Sequence, residues 1–253
     1  MRKRHVKLSA ISVLHYVKLI WRSLLFLAVL IFYIEGRASE LKHFYPLPIA
    51  VWVFFVVEMV LRFFPSRLES MGCQKQFGRN YRPVEHGGQP ERPSWKSTAA
   101  VALVWLALNA LIGAIYFAGW IDRGILVLIS IAFSVCDIIC ILFFCPFQTW
   151  MMKNRCCTTC RIYNWDFAMM FTPLAFMPDL YTYSLLGCAI ALLLRWEITY
   201  RRHPERFLSG ANACLDCTNC EEKLCSHKKQ LQGFLKKNKE RFFGAARADK
   251  RGK

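Results

Sequence analysis

Residues Ile125 to Cys145 read ILVLISIAFSVCDIICILFFC, with Pro146 directly after. One acid, Asp137, interrupts an otherwise apolar run. The run is long enough to cross the ~30 Å hydrocarbon layer of a bilayer as one helix. Pro146 cannot continue that helix, so the span stops there. Working back towards the N-terminus, Ile121-Asp122-Arg123-Gly124 reads as a tight turn. It joins this span to another from about Thr98 to Trp120. Two further apolar blocks precede them: Leu14 to Ile34, and Pro46 to Phe64 closed by Pro65. The chain has 253 residues, 55% of them hydrophobic, and its mean hydropathy is +0.25. Apolar residues gathered into blocks rather than scattered by period mark membrane spans. No small-x-small cleavage site follows the first block, which reads as an uncleaved span. Lys18 and Arg22 lie near its start and are expected to snorkel to the headgroups.

The polar segments fix the topology. The N-terminus, residues 66–97, residues 147–166 and the tail are rich in Arg and Lys, whereas the turns near Glu35 and Asp122 are short and nearly balanced. Cytoplasmic segments carry such an excess, so both termini are expected in the cytoplasm and the chain in the plasma membrane. The same rule accounts for the net charge of +17. No RNA-recognition, helix-turn-helix or zinc-finger pattern supports a nucleic-acid partner instead. Residues 167–196 are apolar but broken by Pro173, Pro178 and Asp179. A basic tail requires this stretch to enter and return, so it is expected to be a pair of short helices turning near Pro178-Asp179; one long kinked span is the competitor. The expected fold is all-α: a polytopic membrane helix bundle of four long spans plus a short or re-entrant helical hairpin, with cytoplasmic Cys-rich segments. Its parts are a first hairpin (1–65), a cytoplasmic loop (66–97), a second hairpin (98–146), a Cys-containing loop (147–166), a third, short hairpin (167–197) and a Cys-rich tail (198–253).

Twelve cysteines are present. Cys214, Cys217, Cys220 and Cys225 form C-x2-C-x2-C-x4-C, a spacing that follows neither a helical nor a strand period. It lets a short loop turn all four sulfurs towards one metal centre. Cys156, Cys157 and Cys160 form a second group, C-C-x2-C, and Cys145 at the end of its span is a candidate fourth ligand. All eight fall in segments expected on the reducing, cytoplasmic side, where metal ligation is favoured over disulfides. Three cysteines at three-residue steps match iron–sulfur binding, with a [4Fe-4S] cluster the leading candidate. The wider last gap, and Ser226 where ferredoxins have proline, leave zinc and redox-active thiols open. Cys136 and Cys140, one turn apart, read as small residues packed between helices, or with Cys145 as a path to the cytoplasmic face. Cys188 reads as a packed thiol and Cys73 as a free one.

Cys145-Pro146 at a helix end, together with the 214–225 run, resembles the membrane-bound polyferredoxins. That resemblance covers a small part of the chain. It implies about four helices carrying ferredoxin-type clusters and electron exchange with the quinone pool.

Asp137 is the one acid well inside a span. It reads either as a proton relay beside a redox centre or as a neutral side chain bonded to a neighbour such as Asn109. Glu58 and Arg62, at i and i+4, read as an ion pair within their helix. Only His15 lies in a span, which argues against haem. No phosphate loop, nucleophile elbow or H-E-x-x-H motif is present, and whether the chain catalyses anything stays open. Leu231, Phe234, Leu235, Phe242 and Phe243 share one helical face among lysines, which predicts a basic amphipathic helix on an anionic leaflet. The functional expectation is an iron–sulfur electron-transfer protein linking a soluble cytoplasmic donor to a membrane acceptor such as quinone. A zinc-stabilised scaffold and a metal-handling transporter using Asp137 are the alternatives.

Overall fold

The computed structural model describes residues 10–36, 46–65, 71–84, 95–154 and 159–216. Seven α-helices make up most of them: α1 Ala10–Ile34, α2 Pro46–Leu61, α3 Met71–Gln76, α4 Trp95–Phe117, α5 Arg123–Leu142, α6 Asp166–Phe171 and α7 Leu180–Arg202. Short 3-10 and π turns link several of them, and no strand occurs among the described residues. Three helices are long and apolar enough to cross a membrane: Val13–Ile34 of α1, α4 and α5.

Of the four long spans expected, three reach that length, and α2 is a shorter apolar helix. It has 16 residues, about 24 Å of helix, short of a full hydrocarbon layer. The chain leaves helical geometry in a turn at Arg62 and Phe63, just ahead of Pro65. The region after residue 166 has unequal arms. Pro173 lacks an N–H and α6 passes into a 3-10 turn, Thr172–Phe176. The chain turns at Met177-Pro178-Asp179, and α7 then runs for 23 residues. The second arm is therefore a full-length helix rather than a short one. It carries Arg195 and Glu197 in its last third.

Local signals set the turn between α4 and α5. Asp122 caps α5 by accepting from the Ile125 amide at 2.9 Å. Gly119 closes α4 with φ of +78°. The Trp120 amide reaches the Ile115 carbonyl at 3.2 Å and the Gly119 amide reaches Tyr116 at 3.0 Å. This paired closure needs a left-handed residue, a conformation glycine adopts without strain.

Helix α1 packs along α5, and α2 packs on α7. The α6 segment and its 3-10 turn sit between α4, α5 and α7. The largest core joins Phe55 and Met59 of α2, Phe167, Met170 and Phe171 of α6, and Leu185, Leu192 and Trp196 of α7. Polarity is inverted relative to a water-soluble bundle. Arg22 is 1% exposed, whereas Ile20 and Leu24 beside it are 61% and 57% exposed. Glu58, Arg62, Asn109, Ser130 and Ser134 are also buried, while Leu103, Leu106 and Leu111 of α4 face outward. A bilayer selects this arrangement, because lipid solvates the aliphatic surface and leaves polar groups to find partners inside.

Candidate functional site

Ionisable side chains from four elements meet inside the bundle. On α1, Lys18 and Arg22 are one helical turn apart and point inward. The Lys18 ammonium lies 2.8 Å from Glu58 Oε1 and the Arg22 guanidinium 2.7 Å from Glu58 Oε2. The other arm of Arg22 donates to the Ser134 carbonyl at 2.8 Å and lies 3.4 Å from Asp137 Oδ2. Its flat face covers the Phe55 ring, 5.4 Å from the centroid. Nearby, Arg62 pairs with Asp166 at 2.6 Å and stacks 4.6 Å above the Phe167 ring. Three cations and three carboxylates thus share one interior, and their formal charges cancel. Cancellation is what makes the site tolerable, because an unpaired charge withdrawn from water costs several kcal/mol.

Several expectations change here. Lys18 and Arg22 do not snorkel outward; they turn into the bundle and clasp Glu58 across the helix interface. Glu58 and Arg62 were expected to pair within one helix, yet each engages a partner on another element. Asp137 meets Arg22 rather than Asn109, whose amide donates to Trp105 O in its own helix at 2.9 Å. Asp166 was not anticipated at all. The available signal was an acid opening a short apolar stretch, opposite an arginine stranded at the end of α2.

The second part of the site is the end of the bundle where α2, α5 and α7 finish and α4 begins. Three loops knit together there. Asn164 donates to Gln76 Oε1 at 2.8 Å. Asn212, fully buried, donates to the Lys75 carbonyl at 3.0 Å and the Arg206 carbonyl at 2.9 Å. The Ala213 amide bonds Arg82 O at 2.8 Å, and the Cys214 thiol donates to Asn80 O at 3.1 Å. Arg161 grips Glu197 with both arms and lies 3.7 Å from the Tyr200 ring centroid, while Trp165 donates to the same carboxylate at 2.8 Å. Arg79, Arg82, Arg201 and Arg202 are exposed on this end.

The cysteine expectations fall unevenly on the structure. Cys214 opens its run on a 3-10 turn, Ala213–Leu215, capped by Asn212. Cys217, Cys220 and Cys225 lie outside the described residues, as do Cys156, Cys157 and the amphipathic tail. Cys160 is buried among Val101, Ile162, Phe147 and Met151. Cys145 is half-buried just past the end of α5, as is Cys140 within it. Among the described residues, no three His, Cys, Asp or Glu side chains are grouped as a metal would require. Cys136 is exposed on the outer surface of α5, and Cys188 is half-buried beside the main core.

The chain matches no family model, no curated protein and no solved structure.

Proposed function

We propose that the chain is an integral membrane protein carrying a thiolate-ligated metal centre on its cytoplasmic face. In this reading Cys214, Cys217, Cys220 and Cys225 hold an iron–sulfur cluster. The cluster exchanges electrons between a soluble donor and a membrane acceptor such as a quinone. The observation that carries the reading is the anchoring of the run's first residues. Asn212, Ala213 and Cys214 are bonded to the 71–84 loop on the same bundle end that bears Cys145 and Cys160. A ligand loop that begins from a rigid stem keeps its sulfurs near the membrane surface rather than on a free tail. The exposed arginines of that end favour the cytoplasmic side.

The charged interior complements this role. Quinone reduction consumes protons as well as electrons, and Asp137 lies between Arg22 and the α5 end that carries Cys140 and Cys145. Asp137 is therefore the residue assigned to proton handling. With α2 crossing beside the three long helices, and α6 with its 3-10 turn entering the membrane as α7 returns, both termini lie in the cytoplasm.

Anaerobic purification of the full chain tests the reading. Iron and acid-labile sulfide at matching stoichiometry, with visible absorbance that bleaches on reduction and is lost in Cys217→Ser, support it. Colourless protein with one zinc per chain overturns the redox role and supports a zinc-stabilised scaffold, which uses the same four sulfurs. Protein without metal under those conditions overturns both.

A further inference from the structure

We propose that Arg206, with Arg79 and Arg82 beside it, forms a site for the phosphate of an anionic lipid headgroup. The proposal rests on the membrane placement of α7 and on no metal, so it goes beyond the cysteine-centred reading.

Packing sets the depth of the segment. Helix α7 carries no charge between Leu180 and Leu194, and Arg195 is its first. The residues from Arg195 to Arg202 therefore pass through the polar layer of the membrane. From Trp196 to Arg202 the helix rises about 9 Å, against about 5–8 Å for one headgroup layer. After Arg202 the chain doubles back. Pro204–Phe207 forms a 3-10 turn, and the Phe207 ring meets Trp196 and Tyr200 edge-on, with centroids 6.0 Å and 5.2 Å apart. The Phe77 ring also packs on Trp196, at 5.2 Å. Both loops are thereby drawn along the last turns of α7 to headgroup depth rather than projecting into water.

One guanidinium is fixed there without an anion. A Cβ on Gly78 would lie 2.9 Å from Cζ of Arg206 and 3.0 Å from each of its terminal nitrogens. The guanidinium plane thus lies flat on the glycine, a close approach that a side chain would block. Arg206 is half-buried, and its carbonyl accepts from the Asn212 amide at 2.9 Å. Glu205 beside it faces Nδ1 of His203 at 3.2 Å. Arg22, Arg62 and Arg161 each have a carboxylate partner. Among the described residues none pairs with Arg206, Arg79 or Arg82. Arg79 follows Gly78 directly. Arg82 belongs to the same pair of loops, since its carbonyl accepts from the Ala213 amide at 2.8 Å. A planar fork held in place by packing, with no oxyanion of its own, suits a phosphate, which accepts two parallel N–H bonds. At this depth the phosphates within reach are those of lipids. An acidic protein would approach from the water and meet the exposed Arg201 and Arg202 first.

The test uses the full chain in a neutral detergent, supplied with equal amounts of dioleoyl phosphatidylglycerol and dioleoyl phosphatidylcholine. Retained lipid is counted by native mass spectrometry. The expected result is one phosphatidylglycerol held in preference to phosphatidylcholine. Arg206→Gln should lower its retention about tenfold, and Arg201→Gln should leave it little changed. Gly78→Ala keeps every charge but pushes the guanidinium off its seat, so it should match Arg206→Gln. Hydrogen exchange of α4 and α5 checks that each variant is folded. Arg79→Gln, also expected to lower retention, replaces the glycine variant should that one not fold. Equal loss in Arg206→Gln and Arg201→Gln with none in Gly78→Ala would mean diffuse surface charge and overturns the proposal. So does retention without preference between the two lipids. Inorganic phosphate or a polyglutamate peptide held in place of the lipid would assign the surface to a soluble anion or an acidic protein, and overturns it too. Metal content enters none of these measurements, so failure of the cysteine-centred reading leaves the result standing.

Discussion

Arg22 of α1 and Glu58 of α2 meet at 2.7 Å with side chains only 2% and 7% exposed, and the same guanidinium reaches α5 through Ser134 and Asp137. One side chain therefore ties three helices together. Replacing it with methionine keeps the bulk but strands Asp137 and leaves Glu58 with Lys18 alone. Breaking a buried pair from one side typically costs about 3–5 kcal/mol. Arg22→Met is expected to lower the thermal midpoint in detergent sharply. Adding Asp137→Asn should restore a good part of it by removing the stranded charge, since Lys18 keeps Glu58 paired at 2.8 Å. A double variant, Arg22→Met with Asp137→Asn, no more stable than Arg22→Met would show that the cluster is not acting through charge balance.

Arg62 and Asp166 make a separate prediction about the α6 segment. Their pair at 2.6 Å joins the end of α2 to the first residue of α6. An acid in the first helical turn is also favoured by the helix dipole. The coupling between Arg62→Met and Asp166→Asn, measured in a double-mutant cycle, is expected at about 1–3 kcal/mol. Single variants should increase hydrogen exchange at residues 166–176 before that of α5. Additive single effects would mean the two side chains act independently.

How far the sequence discloses this architecture depends on which force dominates at each place. Long apolar runs with strong stops, such as Ile125 to Cys145 before Pro146, are decided by local composition and are legible. The turn at Pro178-Asp179 is legible for the same reason. The reach of α2 is not, because its end depends on Arg62 turning away to find Asp166, more than a hundred residues later. The charged interior is least legible. Lys18 and Arg22 near a span's start read equally well as headgroup contacts; only the helix partners decide which way they point.

Asn212 gives a prediction for the stem of the cysteine run. Its amide satisfies the carbonyls of both Lys75 and Arg206 from a fully buried position. Removing the donor leaves those acceptors unpaired, a cost of about 1–3 kcal/mol. Asn212→Ala is expected to raise proteolytic cleavage around residues 203–216 and hydrogen exchange at 71–84, with α4 and α5 unchanged. If the tail run holds metal, occupancy should fall in the same variant. Unchanged protection at 71–84 would mean that the two loops are held together by other contacts.

Close packing between α4 and the 3-10 turn yields the last prediction. A Cβ at Gly113 would lie 2.5 Å from Cζ of Phe176. That ring also meets Phe117 edge-on, with centroids 5.9 Å apart. Glycine is needed here for proximity, since its backbone lies within ordinary helix α4. Overpacking of this kind typically costs about 1–3 kcal/mol. Gly113→Ala is therefore expected to lower the detergent melting midpoint, and Gly113→Val to lower it further. Shortening the ring with Phe176→Leu should be harmful alone, because it opens a void, yet it should recover stability when combined with Gly113→Ala. That reversal of sign is the diagnostic. If Phe176→Leu worsens the alanine variant as much as it worsens the unaltered chain, the 3-10 turn does not rest on Gly113.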